Sequence, residues 1–126
     1  MSSDAWSEIA LEQKQYLSFS RLFEIEGLHY CIAVRDIDSY FDKVASGELL
    51  HLATSYPMKL AQLAGGLGIY MYNSIQVRGS SEAMPGLIGV DAIFDLIKSG
   101  STLQANQLMP IIYATETIFI GKVTRK

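Results

Sequence analysis

The sequence predicts an α+β fold: an antiparallel sheet with helices on one face, in a ferredoxin-like split βαβ arrangement with an extra N-terminal helix and strand. Three observations point there. Side chains alternate with period two over 16–26 and 28–34, the signature of strands. Two later stretches, 36–47 and 91–100, open on aspartate and close on glycine, the residues that start and stop helices. The surroundings of those two stretches also echo one another at a spacing of 53 residues.

The elements follow in order. Ser3 and Asp4 precede Trp6, Ile9 and Ala10, with Glu8 between, which predicts a helix to about Gln13. From Tyr16 the period changes: Leu17, Phe19, Arg21, Phe23 and Ile25 share one side, and Ser18, Ser20, Glu24 and Glu26 the other. Gly27 breaks the run, and Leu28, Tyr30, Ile32 and Val34 then alternate with His29, Cys31 and Ala33, so the two strands are expected to pair as a hairpin. Asp36 caps a helix whose buried stripe is Ile37, Tyr40, Phe41 and Val44, ended by Gly47. Residues 48–56 fit helix or strand. Pro57 opens a helix through Ala64, which Gly65 and Gly66 stop. A strand is expected over 67–77, a loop over 79–86, a short strand over 87–90 and a helix over 91–99. From Pro110 to Gly121 the run reads as one long strand or two with a bend.

Aligned at the 53-residue offset, Asp38, Phe41, Asp42, Ser46, Gly47, Leu50 and Pro57 match Asp91, Phe94, Asp95, Ser99, Gly100, Leu103 and Pro110, seven identities in twenty positions. A single domain, 1–126, is expected; within it the echo is either an internal repeat of 28–77 and 86–123 or two helices that share the same cap chemistry.

Composition narrows the function classes. Charged residues make up 18% of the 126-residue chain, against about a quarter in ordinary domains. Net charge is −3, and the ten basic residues are scattered, so no positive face for a nucleic-acid backbone is expected. No apolar run is long enough to predict a membrane span. The one cysteine, Cys31, lies in an apolar run and reads as a buried reduced thiol, which favours a cytoplasmic setting.

Several candidate motifs fail on chemistry. The run Asp36, Asp38, Asp42 has carboxylates at calcium-loop spacing, but Phe41 stands at the glycine position and Gly47 at the closing glutamate. Gly65, Gly66 and Gly68 resemble part of a phosphate loop, yet they follow a helix and precede a strand, the reverse of the order that aims helix N–H groups at phosphate. His29 and Cys31 share a strand face, and no further strong ligand joins them. Cys31 with His51 as base lacks the electropositive setting a nucleophilic thiol needs. The stretch from His29 through Asp36 resembles the opening strand and helix of the glyoxalase-type metalloenzymes, where such a histidine binds metal. The second half of the chain has no histidine, so the resemblance ends there.

With no catalytic residue, metal site or cofactor indicated, the sequence favours an interaction subunit of the adaptor, chaperone, immunity-protein or inhibitor type, non-enzymatic, binding a protein partner or itself as a homodimer or larger oligomer. Tyr70, Met71, Tyr72 and Tyr113 are its interface candidates, because Tyr and Met suit apolar surfaces that meet a partner. The alternative is a small-ligand protein or weak enzyme with a pocket drawing on His29, Tyr30, Asp36 and His51.

Overall fold

A computed structural model describes residues 1–77, 89–97, 107–114 and 118–126. The expected loop over 79–86, half of the strand over 87–90, the Gly100 stop and Ser99 and Leu103 of the echo lie outside the described residues, as do residues 115–117 of the C-terminal run.

Within the described residues the order is α1 (Ser3–Ser7), α2 (Leu11–Lys14), β1 (Leu17–Ile25), β2 (His29–Val34), α3 (Ile37–Ser46), β3 (Leu50–Thr54), α4 (Pro57–Leu63), β4 (Tyr72–Gln76), β5 (Ala92–Ile97), β6 (Met109–Tyr113) and β7 (Ile118–Arg125). The mixture of α and β holds, but the sheet is not the expected one. Five strands run in the order β4-β3-β5-β2-β6, with β3 parallel to both β4 and β5 and β2 antiparallel to β5 and β6. An all-antiparallel sheet is thereby corrected to a mixed one. Strands β1 and β7 form a separate two-stranded antiparallel ribbon.

The hairpin expected between β1 and β2 does not form. β2 is buried on both faces from Tyr30 to Val34, so it takes the inner position between β5 and β6. β1, with five consecutive exposed residues from Ser20 to Glu24, is fit only for a ribbon. Gly27, at φ 79°, turns the chain from one sheet to the other.

The helix expected over 91–99 is instead β5 in its described part. Ala92-Ile-Phe-Asp-Leu-Ile97 is a short apolar run, the case in which periodicity cannot separate helix from strand, and it too is buried on both faces. The residues that the echo superposes on α3 therefore form a strand. The ambiguous 48–56 stretch resolves as β3 followed by the turn into α4, and the C-terminal run as two strands.

Alternation divides the core. Tyr30, Ile32, Val34, Leu50, Leu52, Ala92 and Phe94 join Tyr40 of α3 and Leu60 of α4 in one cluster, so both helices cover the same sheet face. Cys31, Ala33, Ala53, Ile93 and Ile97 form the second cluster on the other face, with Leu108.

Candidate functional site

The chain leaves β3 through α4 to reach β4 on one side, and β5 lies on the other side of β3. All three strands are parallel, so their carboxyl ends share one edge of the sheet, and the connections diverge beside β3. In open α/β sheets a crevice forms at such a switch point.

The described residues at this edge are held firmly. Thr54, fully buried at the end of β3, accepts the Tyr56 N–H on its side-chain oxygen at 2.9 Å, and its carbonyl accepts the Val77 N–H at 3.0 Å. Pro57 sits in the first turn of α4, as its fixed φ favours. The Tyr56 ring meets Tyr30 edge-on at 5.5 Å, and Tyr30 stacks on Phe94 at 5.4 Å. Burial, with Asp4 and Asp95 adding to it, pushes the Tyr56 hydroxyl well above its ordinary pKa, so it stays protonated and donates to Asp4 Oδ2 at 3.2 Å. Asp95, nearly buried on β5, accepts the Leu96 N–H at 2.8 Å.

Beyond Ile97 the sequence continues Lys98-Ser99-Gly100-Ser101-Thr102. These five residues lie outside the described ones; in sequence they offer three hydroxyls and a glycine, a composition suited to phosphate oxygens.

The residues singled out from sequence fall elsewhere. Tyr72 is half-buried on the outer strand β4 and Tyr113 exposed on β6, so the two occupy opposite edges of the sheet. Tyr70 and Met71, 81% and 55% exposed, precede β4 beside a hollow of about 100 Å³. The four make no common face. The pocket alternative is not assembled either. Tyr30 is fully buried in the core, Asp36 caps α3 by accepting the Ser39 N–H at 3.1 Å, and His29 is exposed at the start of β2. His29 faces Ile97, near the carboxyl ends of β3 and β5, whereas His51 lies near the start of β3. At that opposite edge the Asp91 carboxylate accepts the His51 N–H at 2.8 Å and pairs with Lys43 Nζ at 2.7 Å. Burial, with Asp95 behind it, pushes the Cys31 thiol up to about 12, which suits an inert core thiol. Among the described residues no three His, Cys, Asp or Glu side chains are grouped to hold a metal. No described helix is long and apolar enough to cross a membrane.

Comparison with known proteins decides the family. A model of the ATP phosphoribosyltransferase family, HisG, matches residues 3–126. This chain belongs to the ATP phosphoribosyltransferase family. Relatives named ATP phosphoribosyltransferase include one from Herminiimonas arsenicoxydans, 36% identical over 86 residues, covering 68% of this chain and 37% of that protein. Another, from Nitrosomonas eutropha, is 34% identical over 88 residues, covering 70% of this chain and 40% of that protein. The matches thus span about two fifths of these relatives. A chain of the ATP phosphoribosyl transferase HisG:HisZ complex from Thermotoga maritima shares the fold, with a TM-score of 0.67 over 97% of this chain and 55% of that one at 22% identity. Membership in an enzyme family overturns the adaptor, chaperone, immunity-protein or inhibitor expectation, and with it the non-enzymatic one.

Proposed function

We propose that this chain supplies the phosphate-holding part of an ATP phosphoribosyltransferase, with the phosphoribosyl group received in the crevice beyond the carboxyl ends of β3 and β5. The supporting observation is that β5 is a strand beside the switch point, and in sequence Ser99, Gly100, Ser101 and Thr102 come one residue after its end at Ile97. Hydroxyls and backbone N–H groups hold phosphate without a metal, and a glycine lets the backbone approach the oxygens closely. The fixed Thr54–Tyr56 turn forms the neighbouring wall.

The chain's contribution is binding and orientation, which hold reacting groups in register and thereby lower the barrier to transfer. The remainder of the site comes from further protein, on the same polypeptide or on a partner subunit, as an assembly of the HisG:HisZ kind would provide. A cytoplasmic setting suits the single buried thiol.

The test is calorimetric titration with ribose 5-phosphate. Saturable binding is expected, weakened at least about tenfold, or 1.4 kcal/mol, by Ser101→Ala combined with Thr102→Val. No saturation, or an unchanged affinity in the double variant, overturns the proposal.

A further inference from the structure

The turn that walls the crevice is gripped by the first eight residues of the chain. Glu8, half-buried just past the end of α1, accepts the Met58 N–H on Oε1 and the Lys59 N–H on Oε2, each at 2.9 Å. Two residues before Met58, the Tyr56 hydroxyl donates to Asp4 at 3.2 Å. One short segment thus holds the run from Tyr56 to Lys59, where the chain leaves the carboxyl end of β3. We infer that Glu8 is a positioning residue for the ligand of the crevice: without touching that ligand, its carboxylate fixes where the β3–α4 turn stands. The inference rests on the phosphoribosyl reading above.

The first N–H groups of a helix have no acceptor within it, and a side chain at the N-cap commonly supplies one. In α4 the N-cap is Tyr56, which makes no side-chain cap bond. Pro57 has no N–H to satisfy, and the Leu60 N–H already reaches the Tyr56 carbonyl at 2.9 Å. Met58 and Lys59 are left, and a carboxylate 50 residues from Met58 takes both. A cap from a neighbouring residue would travel with the turn. A cap from a distant segment ties the turn to whatever holds that segment.

What holds it is the ribbon. With five residues, α1 is too short to be stable by itself, so its order comes from its contacts. Gly121 of β7 exchanges two hydrogen bonds with Met1, both at 2.7 Å, and the Phe119 N–H donates to the Ser3 hydroxyl oxygen at 2.8 Å. Within the segment the buried Ser7 hydroxyl donates to the Asp4 carbonyl at 2.6 Å and lies 3.5 Å from Glu8 Oε2. Hydrogen bonds therefore run from β7 through α1 to α4, and the crevice wall is placed relative to the ribbon as well as by β3. A ligand held between fixed groups loses affinity when one wall shifts, even if the shifted residues are remote from it.

Calorimetric titration with ribose 5-phosphate tests this in variants that circular dichroism shows to be folded. Glu8→Ala should weaken binding at least about tenfold. Glu8→Gln keeps one acceptor oxygen, serves if the alanine variant does not fold, and should weaken binding about threefold. Lost stability alone leaves the affinity of a fully folded protein unchanged, so the loss reads the position of the wall. Asp36→Ala is the control: it removes a side-chain cap from α3, at the edge of the sheet where β5 begins, and should leave the affinity as it was. If the parent binds and the folded Glu8 variants bind as tightly, or if Asp36→Ala weakens binding as much as they do, the inference is overturned and the phosphoribosyl reading stands. If the parent does not bind, both fall.

Discussion

Residues 38–44 and 91–97 carry aspartate, phenylalanine and aspartate at corresponding positions, yet the first run lies in helix α3 and the second leads into and forms strand β5. The difference lies in what surrounds the shared residues. In the first run Asp38, Ser39 and Asp42 leave a single apolar stripe, and Tyr40 is its buried member while Phe41 stays half exposed. In the second, Ala92, Ile93, Phe94 and Ile97 are buried on both faces of a sheet. Aspartate before a run is therefore not a helix signal by itself. Asp36 caps, whereas Asp91 bridges strand β3 to helix α3.

The largest expected break in this comparison is at the matched phenylalanines. Phe94 is fully buried and stacked on Tyr30, so Phe94→Ala should cost about 3–5 kcal/mol in urea denaturation through the cavity it leaves. Phe41→Ala, at an exposed site, should stay within about 0.5 kcal/mol. Equal costs would mean that β5 does not sit at the centre of the sheet.

Next comes Asp91. Asp91→Ala deprives the His51 N–H and the Lys43 ammonium of their acceptor together, an expected loss of about 1–3 kcal/mol by the same denaturation assay. The hydrogen bond to Asp91 raises the Lys43 pKa, so its stabilising contribution is complete below the ordinary value of 10.5 and is lost as pH rises through the folded value. The alkaline decline in stability should therefore be shallower in the Asp91 variant. At Asp36, by contrast, the carboxylate satisfies one exposed N–H, and Asp36→Ala should cost about 1 kcal/mol.

The comparison also explains what the sequence could disclose. Local chemistry was legible: Asp36 and Gly47 bound α3, Pro57 opens α4, and period-two alternation marks β1. Partnership was not. Nothing in β1 itself says that it pairs with β7 across the length of the chain, and β2 reveals its inner place only through burial on both faces. The tyrosines and histidines drew notice as residue types, but the mixed strand order sends them to different edges. Residues 92–97 form a strand where a helix is expected, because a short apolar run buried on both faces carries no period that separates the two.

The smallest effect concerns the second matched aspartates. Asp42 lies exposed on α3, while Asp95 is nearly buried opposite Cys31 and adds to the elevation that burial imposes on the thiol. The folded protein holds that proton to about 12, but the unfolded chain releases it above 9.0. Above that pH the unfolded state therefore binds fewer protons, and stability falls between those two values. Asp95→Asn removes the lesser cause and leaves the greater. Followed by the ultraviolet absorbance of the thiolate, its titration midpoint should drop below that of the parent protein yet stay above 9.0. A midpoint at 9.0 would make the neighbouring charge, not burial, the reason this thiol is inert. Asp42→Asn should leave the Cys31 titration where it was, because only the strand of the matched pair brings its aspartate against β2.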